Sequence, residues 1–114
     1  MNIKTIKYNK DITRVIINDP KTYNSLSTQN LRDLIKIFKI LNKDQKVKVI
    51  ILEGAGRGFC SGHNLKEVRG LKKRVKYQKL FNLCSKLMMQ IVEGRKPVIA
   101  KVHGAAFAAG CQLV

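Results

Sequence analysis

With 114 residues, 45% of them hydrophobic and 26% charged, the chain has the size and composition of one globular domain, not of a disordered segment. No apolar run reaches the ~18–20 residues that a membrane-spanning helix needs. Lys and Arg number 23 against 7 Asp and Glu, a formal net charge of +16, which favours polyanionic partners: nucleic acid, an anionic membrane surface or a phosphate-bearing cofactor.

The opening "MNIKTIKYNKDITRV" alternates apolar and charged residues. It lacks both the apolar block of a signal peptide and the Arg/Ser-rich character of a transit peptide, so the cytoplasm is the expected compartment. "IKTIKY" (3–8) and "ITRVIIN" (12–18) read as two strands around the turn residues Asn9, Lys10 and Asp11. "NDPKTYNSLS" (18–27) reads as a loop punctuated by Pro20. Ser27 suits the N-cap of a helix over 28–42, whose buried stripe would be Leu31, Leu34, Ile35, Phe38 and Leu41. "VKVIILEG" (47–54) reads as a buried strand ended by Gly54, and "GAGRGFCSGHN" (54–64) as a glycine-rich loop. A second long helix fits 74–93, with Tyr77, Leu80, Phe81, Cys84, Leu87, Met88 and Ile91 on one face. "KPVIAKV" (96–102) is the last strand, and "HGAAFAAGCQLV" continues as a loop and the first turn of a helix. Strands alternating with helices predict an α/β sheet with right-handed crossovers.

The cysteines Cys60, Cys84 and Cys111 are odd in number and widely spaced, which fits free thiols in a reducing compartment. Gly54, Gly56 and Gly58 make GxGxG, not the GxGxxG dinucleotide fingerprint, and no GK[ST] follows to make a P-loop. Cys60 and His63 have the spacing of half a metal site, but His103 and Cys111 stand apart, so no metal is expected. His63 and His103 are the two histidines available to a nucleophilic triad, and each sits beside a glycine in a loop, so no triad is expected. The densest basic run, "LKKRVKYQK" (71–79), reads as the solvated start of the second helix.

Taken together, "NDPKTYNSLS", "VIILEGAGRGFCSGHNLKEV" and "KPVIAKVHGAAFAAGCQL" resemble the enoyl-CoA hydratase/isomerase (crotonase) superfamily. Its members read N-R-P-x-x-x-N-A-L-S, then V-L-T-G-x-G-x-x-F-C-A-G-x-D-L, then K-P-V-I-A-x-V-x-G-x-A-x-G-G-G-x-E-L. The blocks occur in the same order and cover nearly the whole chain. "SGHNL", "CSKLMMQI" and "AAGCQLV" look nearest to the branch named enoyl-CoA hydratase domain-containing protein 3. The resemblance implies a crotonase-like (ClpP/crotonase) ββα superhelix. Residues 1–114 would be its N-terminal part, truncated after the third-block strand and the start of the following helix.

The resemblance also implies a chemistry. Reaction beside a thioester passes through an enolate, and two main-chain N–H groups stabilise the charge on the thioester oxygen. The matching positions are His63 and Ala109, and the small Ala108, Ala109 and Gly110 would let a ligand approach the backbone. A helix beginning near Ala109 would add its N-terminal dipole. By the same resemblance Lys21, Thr22 and Tyr23 would lie along the pantetheine and phosphates of coenzyme A, with Ser61, His63 and Lys66 near its adenine. Coenzyme A enters as the thioester substrate, with no permanently bound cofactor. Family members assemble as trimers or dimers of trimers, so a homo-oligomer is expected of a full-length chain.

Two family glutamates hold and activate the water in hydration. Gln112 stands where the first belongs, and an amide cannot act as a base at neutral pH. The position of the second falls beyond Val114. Asn64 replaces the usual aspartate of the second block, and Asp19 replaces the first-block arginine, a change expected to be a surface one. Glu67 is the acid nearest the site in sequence and is expected on an exposed helical turn. The expected function is therefore acyl-CoA binding and thioester polarisation, with weak or absent turnover. The alternative is a non-enzymatic module that binds RNA or another polyanion through Lys72, Lys73, Arg74, Lys76 and Lys79.

Overall fold

A computed structural model of the chain describes residues 2–22, 24–56, 58–60, 62 and 74–103. Strands β1 (Ile3–Lys7) and β2 (Ile12–Ile17) form an antiparallel hairpin that pairs Ile3 with Ile17 and Lys7 with Thr13. Its turn is closed by Asn9, whose Oδ1 accepts the N–H groups of Asp11 and Ile12 at 2.8 and 2.9 Å. This is the local bond that makes asparagine a turn residue.

A 3₁₀ turn, Pro20–Thr22, leads to helix α1 (Thr28–Lys43). Ser27 caps α1 as expected: its Oγ accepts the Asn30 N–H at 3.1 Å, which satisfies a donor the first turn leaves unpaired. At the other end the Asp44 N–H donates to the Ile40 and Leu41 carbonyls. Lys96 Nζ bonds the Leu41 and Asp44 carbonyls, placing a cation where the helix dipole is negative.

Strand β3 (Val49–Gly54) runs parallel to β2, helix α2 (Arg74–Glu93) follows, and β4 (Val98–Lys101) runs parallel to β3. The sheet order is β1-β2-β3-β4, so sequence neighbours are also spatial neighbours. The helix 74–93 matches its predicted limits, and the strands are each shorter than predicted by one to three residues at their ends.

Register determines the core. Val15 lies beside Leu52 and Leu52 beside Ala100, while Thr13 lies beside Ile50 and Ile50 beside Val98. Because strand side chains alternate, these residues share one face. Helices α1 and α2 pack together and bury it: Leu31, Leu34, Phe38 and Leu41 from α1 join Leu80, Cys84 and Leu87 from α2 in one cluster with Val15, Ile17, Ile50 and Leu52. One predicted member departs: Phe81 is 45% exposed, because the buried stripe of α2 runs through Leu80, Cys84 and Leu87 and leaves the next position outside. The opposite sheet face carries Arg14, Ile16, Ile51, Glu53 and Ile99. There Arg14 Nε and Nη2 grip the two oxygens of Glu53 at 2.9 and 2.6 Å.

Candidate functional site

The three sequence blocks converge on residues 54–62, at the end of β3. Asn24 is the centre of the convergence. It is wholly buried and takes φ +57, a left-handed conformation that asparagine tolerates better than most residues. Its Oδ1 accepts the Asp19 N–H at 2.8 Å, and its own N–H donates to the Asp19 carbonyl at 2.8 Å. Its Nδ2 donates to the carbonyls of Ala55 at 2.7 Å, Gly58 at 2.9 Å and Phe59 at 3.3 Å. One side chain therefore folds the first block onto the second. Two residues on, the Leu26 N–H donates to the Gly62 carbonyl at 2.5 Å.

Asp19 is more than a surface replacement. Its Oδ2 accepts from Asn30 Nδ2 at 3.2 Å, while that same amide donates to the Ser25 carbonyl at 2.8 Å. The loop 18–27 is thus tied to the first turn of α1 as well as to the second block. Thr22 Oγ1 accepts from the Ser25 hydroxyl at 2.9 Å, which turns the 3₁₀ segment back on itself. Lys21 is exposed on this segment.

The third block reaches the same loop. His103, two residues past β4, places Nε2 2.6 Å from the Gly56 carbonyl. Glu53 stands at the base of the loop. The double hydrogen bond from Arg14 holds its carboxyl below the ordinary carboxylate range against the opposing effect of burial, and the nearby charges of Arg14, Lys101 and His103 add to the lowering. The same bond raises the Arg14 pKa. Cys60 is buried in the second block, and burial pushes its thiol up to about 11. Cys84 on α2 is raised by the same cause. Both are protonated at neutral pH and unsuited to nucleophilic work.

Of the residues predicted to bind coenzyme A, Lys21 and Thr22 lie on the 3₁₀ turn beside the Asn24 network. Tyr23, Ser61, His63 and Lys66 lie outside the described residues, as do Ala109 and Gln112. So do Asn64, Glu67, Lys72, Lys73 and Cys111, whereas Lys76 and Lys79 are exposed on α2. Among the described residues no three His, Cys, Asp or Glu side chains form a metal-binding group, and no helix is long and apolar enough to cross a membrane. Sequence reasoning assigned no role to Asn24. Its signal was an Asn in a Pro-containing loop, which is the residue expected where a left-handed turn is needed.

The enoyl-CoA hydratase/isomerase profile matches residues 7–114. Among curated proteins the chain is 42% identical over 103 residues to the mitochondrial enoyl-CoA hydratase domain-containing protein 3 of Xenopus laevis, covering 90% of this chain and 35% of that protein. Among solved structures it superposes on an enoyl-CoA hydratase of Mycobacterium smegmatis with a TM-score of 0.95 at 38% identity, covering 99% of this chain and 44% of that one. Human enoyl-CoA hydratase domain-containing protein 3 gives a TM-score of 0.93 at 36% identity, with 99% and 44% covered. The chain thus spans about a third of the length of the curated relatives it matches. With its three blocks, its helix-backed mixed sheet and this match over nearly all its residues, the chain belongs to the enoyl-CoA hydratase/isomerase family, as an N-terminal portion with the crotonase-like α/β fold.

Proposed function

We propose that this chain binds a coenzyme A thioester and polarises its carbonyl through the main-chain N–H groups of His63 and Ala109. The convergence of the three blocks on residues 54–62 carries the reading, because a two-donor oxyanion site needs segments distant in sequence to be held against each other. Lys21, exposed on the 3₁₀ turn, is suited to a phosphate of the cofactor, and Thr22 and Tyr23 continue that contact. Ser61, His63 and Lys66 complete the coenzyme A contacts on the second block.

The reaction supported is charge stabilisation at the thioester oxygen. Each such donor is worth about 10²–10³ in rate where an enolate forms. Gln112 can hydrogen-bond a water but cannot take its proton, so hydration by this chain is expected to be slow or absent. Titration with a 2-enoyl-CoA should give saturable binding that is lost in Ala109→Pro, which lacks the N–H. Incubation with the chain should leave the enoyl absorbance unchanged over hours, because hydration would remove the conjugated double bond. Absence of saturable binding, or rapid hydration, would overturn the respective half of the proposal.

A second reading, a polyanion-binding module, is favoured by one observation. Arg32, Lys36, Lys39 and Lys43 are exposed at helical spacing along α1, and Lys76 and Lys79 are exposed on α2. Binding of RNA through such surfaces would weaken steeply and linearly on a logarithmic salt scale. Coenzyme A binding, with its few phosphates, would weaken far less.

A further inference from the structure

Helix α2 gathers three sulfurs within six residues: Cys84, Met88 and Met89. With Ser85 they line a cleft of about 300 Å³ on the flank of the helix. Side chains four residues apart on a helix are neighbours, and each leans toward the N-terminal turn, which brings Met88 toward Cys84 and Met89 toward Ser85. Cys84 belongs to the buried stripe between Leu80 and Leu87 and is 6% exposed. Met88 is half-buried against that core, while Met89 is 50% exposed. Among the described residues the Cys84 thiol has no hydrogen-bond partner, whereas the Cys60 sulfur is bonded by the Gly62 backbone. A buried, unpartnered thiol thus lines a cleft whose other polarisable groups are thioethers.

We propose that Cys84, Met88 and Met89 bind a soft monovalent metal ion, Cu(I), in this cleft. The donors select the ion. Thiolate and thioether sulfur are soft ligands that suit Cu(I), whereas Zn(II) sites are completed by imidazole, carboxylate or further thiolates, and Mg²⁺ and Ca²⁺ need oxygen. Among the described residues no His, Asp or Glu lines the cleft, so harder ions lack ligands there. Charge argues the same way. On binding, the S–H bond of Cys84 breaks, an S–Cu bond forms and one proton leaves to solvent, with the copper unchanged in oxidation state. One thiolate and one monovalent cation cancel, so the half-buried wall receives no net charge. A divalent ion would leave a positive charge uncompensated beside an apolar core, in a chain already at +16. Burial raises the Cys84 pKa, but a coordinated metal displaces a thiol proton outright. The site shares no residue with the proposed coenzyme A contacts, so neither reading depends on the other.

The test uses the 114-residue chain carrying Cys111→Ser, which removes the thiol outside the described residues. Copper is supplied without oxygen as its coloured Cu(I)–bicinchoninate complex. The chain should take up one equivalent and bleach the complex. Met88→Leu and Met89→Leu conserve side-chain volume and remove the sulfur, and each should weaken binding at least about tenfold. Cys84→Ala should abolish it. X-ray absorption at the copper edge should show sulfur alone around the ion. Zn(II), offered with a zinc-binding chromophore, should stay with the chromophore. Failure to bleach the copper complex overturns the proposal, and so does a nitrogen or oxygen ligand on the ion or an equal uptake of zinc. Full affinity in either methionine variant overturns the three-sulfur site, because the binding is then that of a free thiol. Should Cys84→Ala lose its native circular dichroism, the methionine variants decide. Met89 is exposed enough that its replacement leaves the core intact, so weaker binding there reports a lost ligand.

Discussion

A Cβ added to Gly54 would stand 2.7 Å from Asn24 Nδ2 and 2.2 Å from the Phe59 carbonyl oxygen. Gly54 ends β3 where the Asn24 amide passes over the chain to reach Ala55, Gly58 and Phe59, and no side chain fits between them. The two residues therefore depend on each other: the glycine makes the space and the asparagine fills it with hydrogen bonds. Gly54→Ala is expected to destabilise the fold by at least about 2 kcal/mol, because the atom it meets is backbone that cannot swing away. Urea unfolding would check it, and a midpoint equal to wild type would refute the close approach.

Asn24→Ala should cost about 2–4 kcal/mol, since it leaves buried loop carbonyls without a donor and puts a β-carbon residue at positive φ without compensation. Asn24→Gly relieves the backbone but restores no donor. It should recover only about 1 kcal/mol of the loss. Full rescue by glycine would show that conformation, not hydrogen bonding, is the role of this residue.

The Arg14–Glu53 pair gives stability a pH dependence of definite sign. The Glu53 pKa is lowered in the folded state, first by the Arg14 hydrogen bonds, so the folded protein holds this carboxylate ionised more readily than the unfolded chain does. The contribution is complete above the unfolded value of about 4.3 and is lost as pH falls through the lower folded value. Glu53→Gln should thus be less stable than wild type at neutral pH, with the difference shrinking toward pH 3. A difference that stays constant with pH would rule the ion pair out as its source.

Cys60 and Cys84 should resist alkylation by iodoacetamide at pH 8 in the native state, because both thiols are buried and burial raises both pKa values. Peptide mass spectrometry should find them modified only at the rate of unfolding. The raised pKa of Cys60 stabilises the fold below the ordinary thiol range. That contribution fades as pH climbs toward about 11, where the folded thiol also ionises.

Lys96→Met keeps the length of the side chain but removes the ammonium that bonds the Leu41 and Asp44 carbonyls. A loss of about 1–2 kcal/mol is expected, from the hydrogen bonds and from the charge at the C-terminal end of α1. Thermal unfolding would measure it. Lys43→Met, whose ammonium lies on the exposed face of the same helix turn, should change stability by less than about 0.5 kcal/mol.

Much of the fold was legible because its signals are local. The 3.6-residue spacing of Leu31, Leu34, Phe38 and Leu41 required one buried helix face, and Ser27 stood where a cap was needed. The short apolar run ending at Gly54 had the composition of a strand covered by helices. Phe81 was misplaced because a wide apolar stripe does not say which of its edges meets the neighbouring helix. Asp19 was misread because its partner Asn30 lies eleven residues away, on α1.

By itself the sequence determined the order of strands and helices and the family blocks, since periodicity, capping and glycine placement are written in neighbouring residues. The tertiary structure alone decided that Asn24 grips three carbonyls beyond residue 54, that Arg14 holds Glu53, and that His103 reaches Gly56. Each of these joins residues more than thirty positions apart. A hydrogen bond is specified to within tenths of an ångström in distance and narrowly in angle. Only strand register and helix packing bring such distant groups within that tolerance.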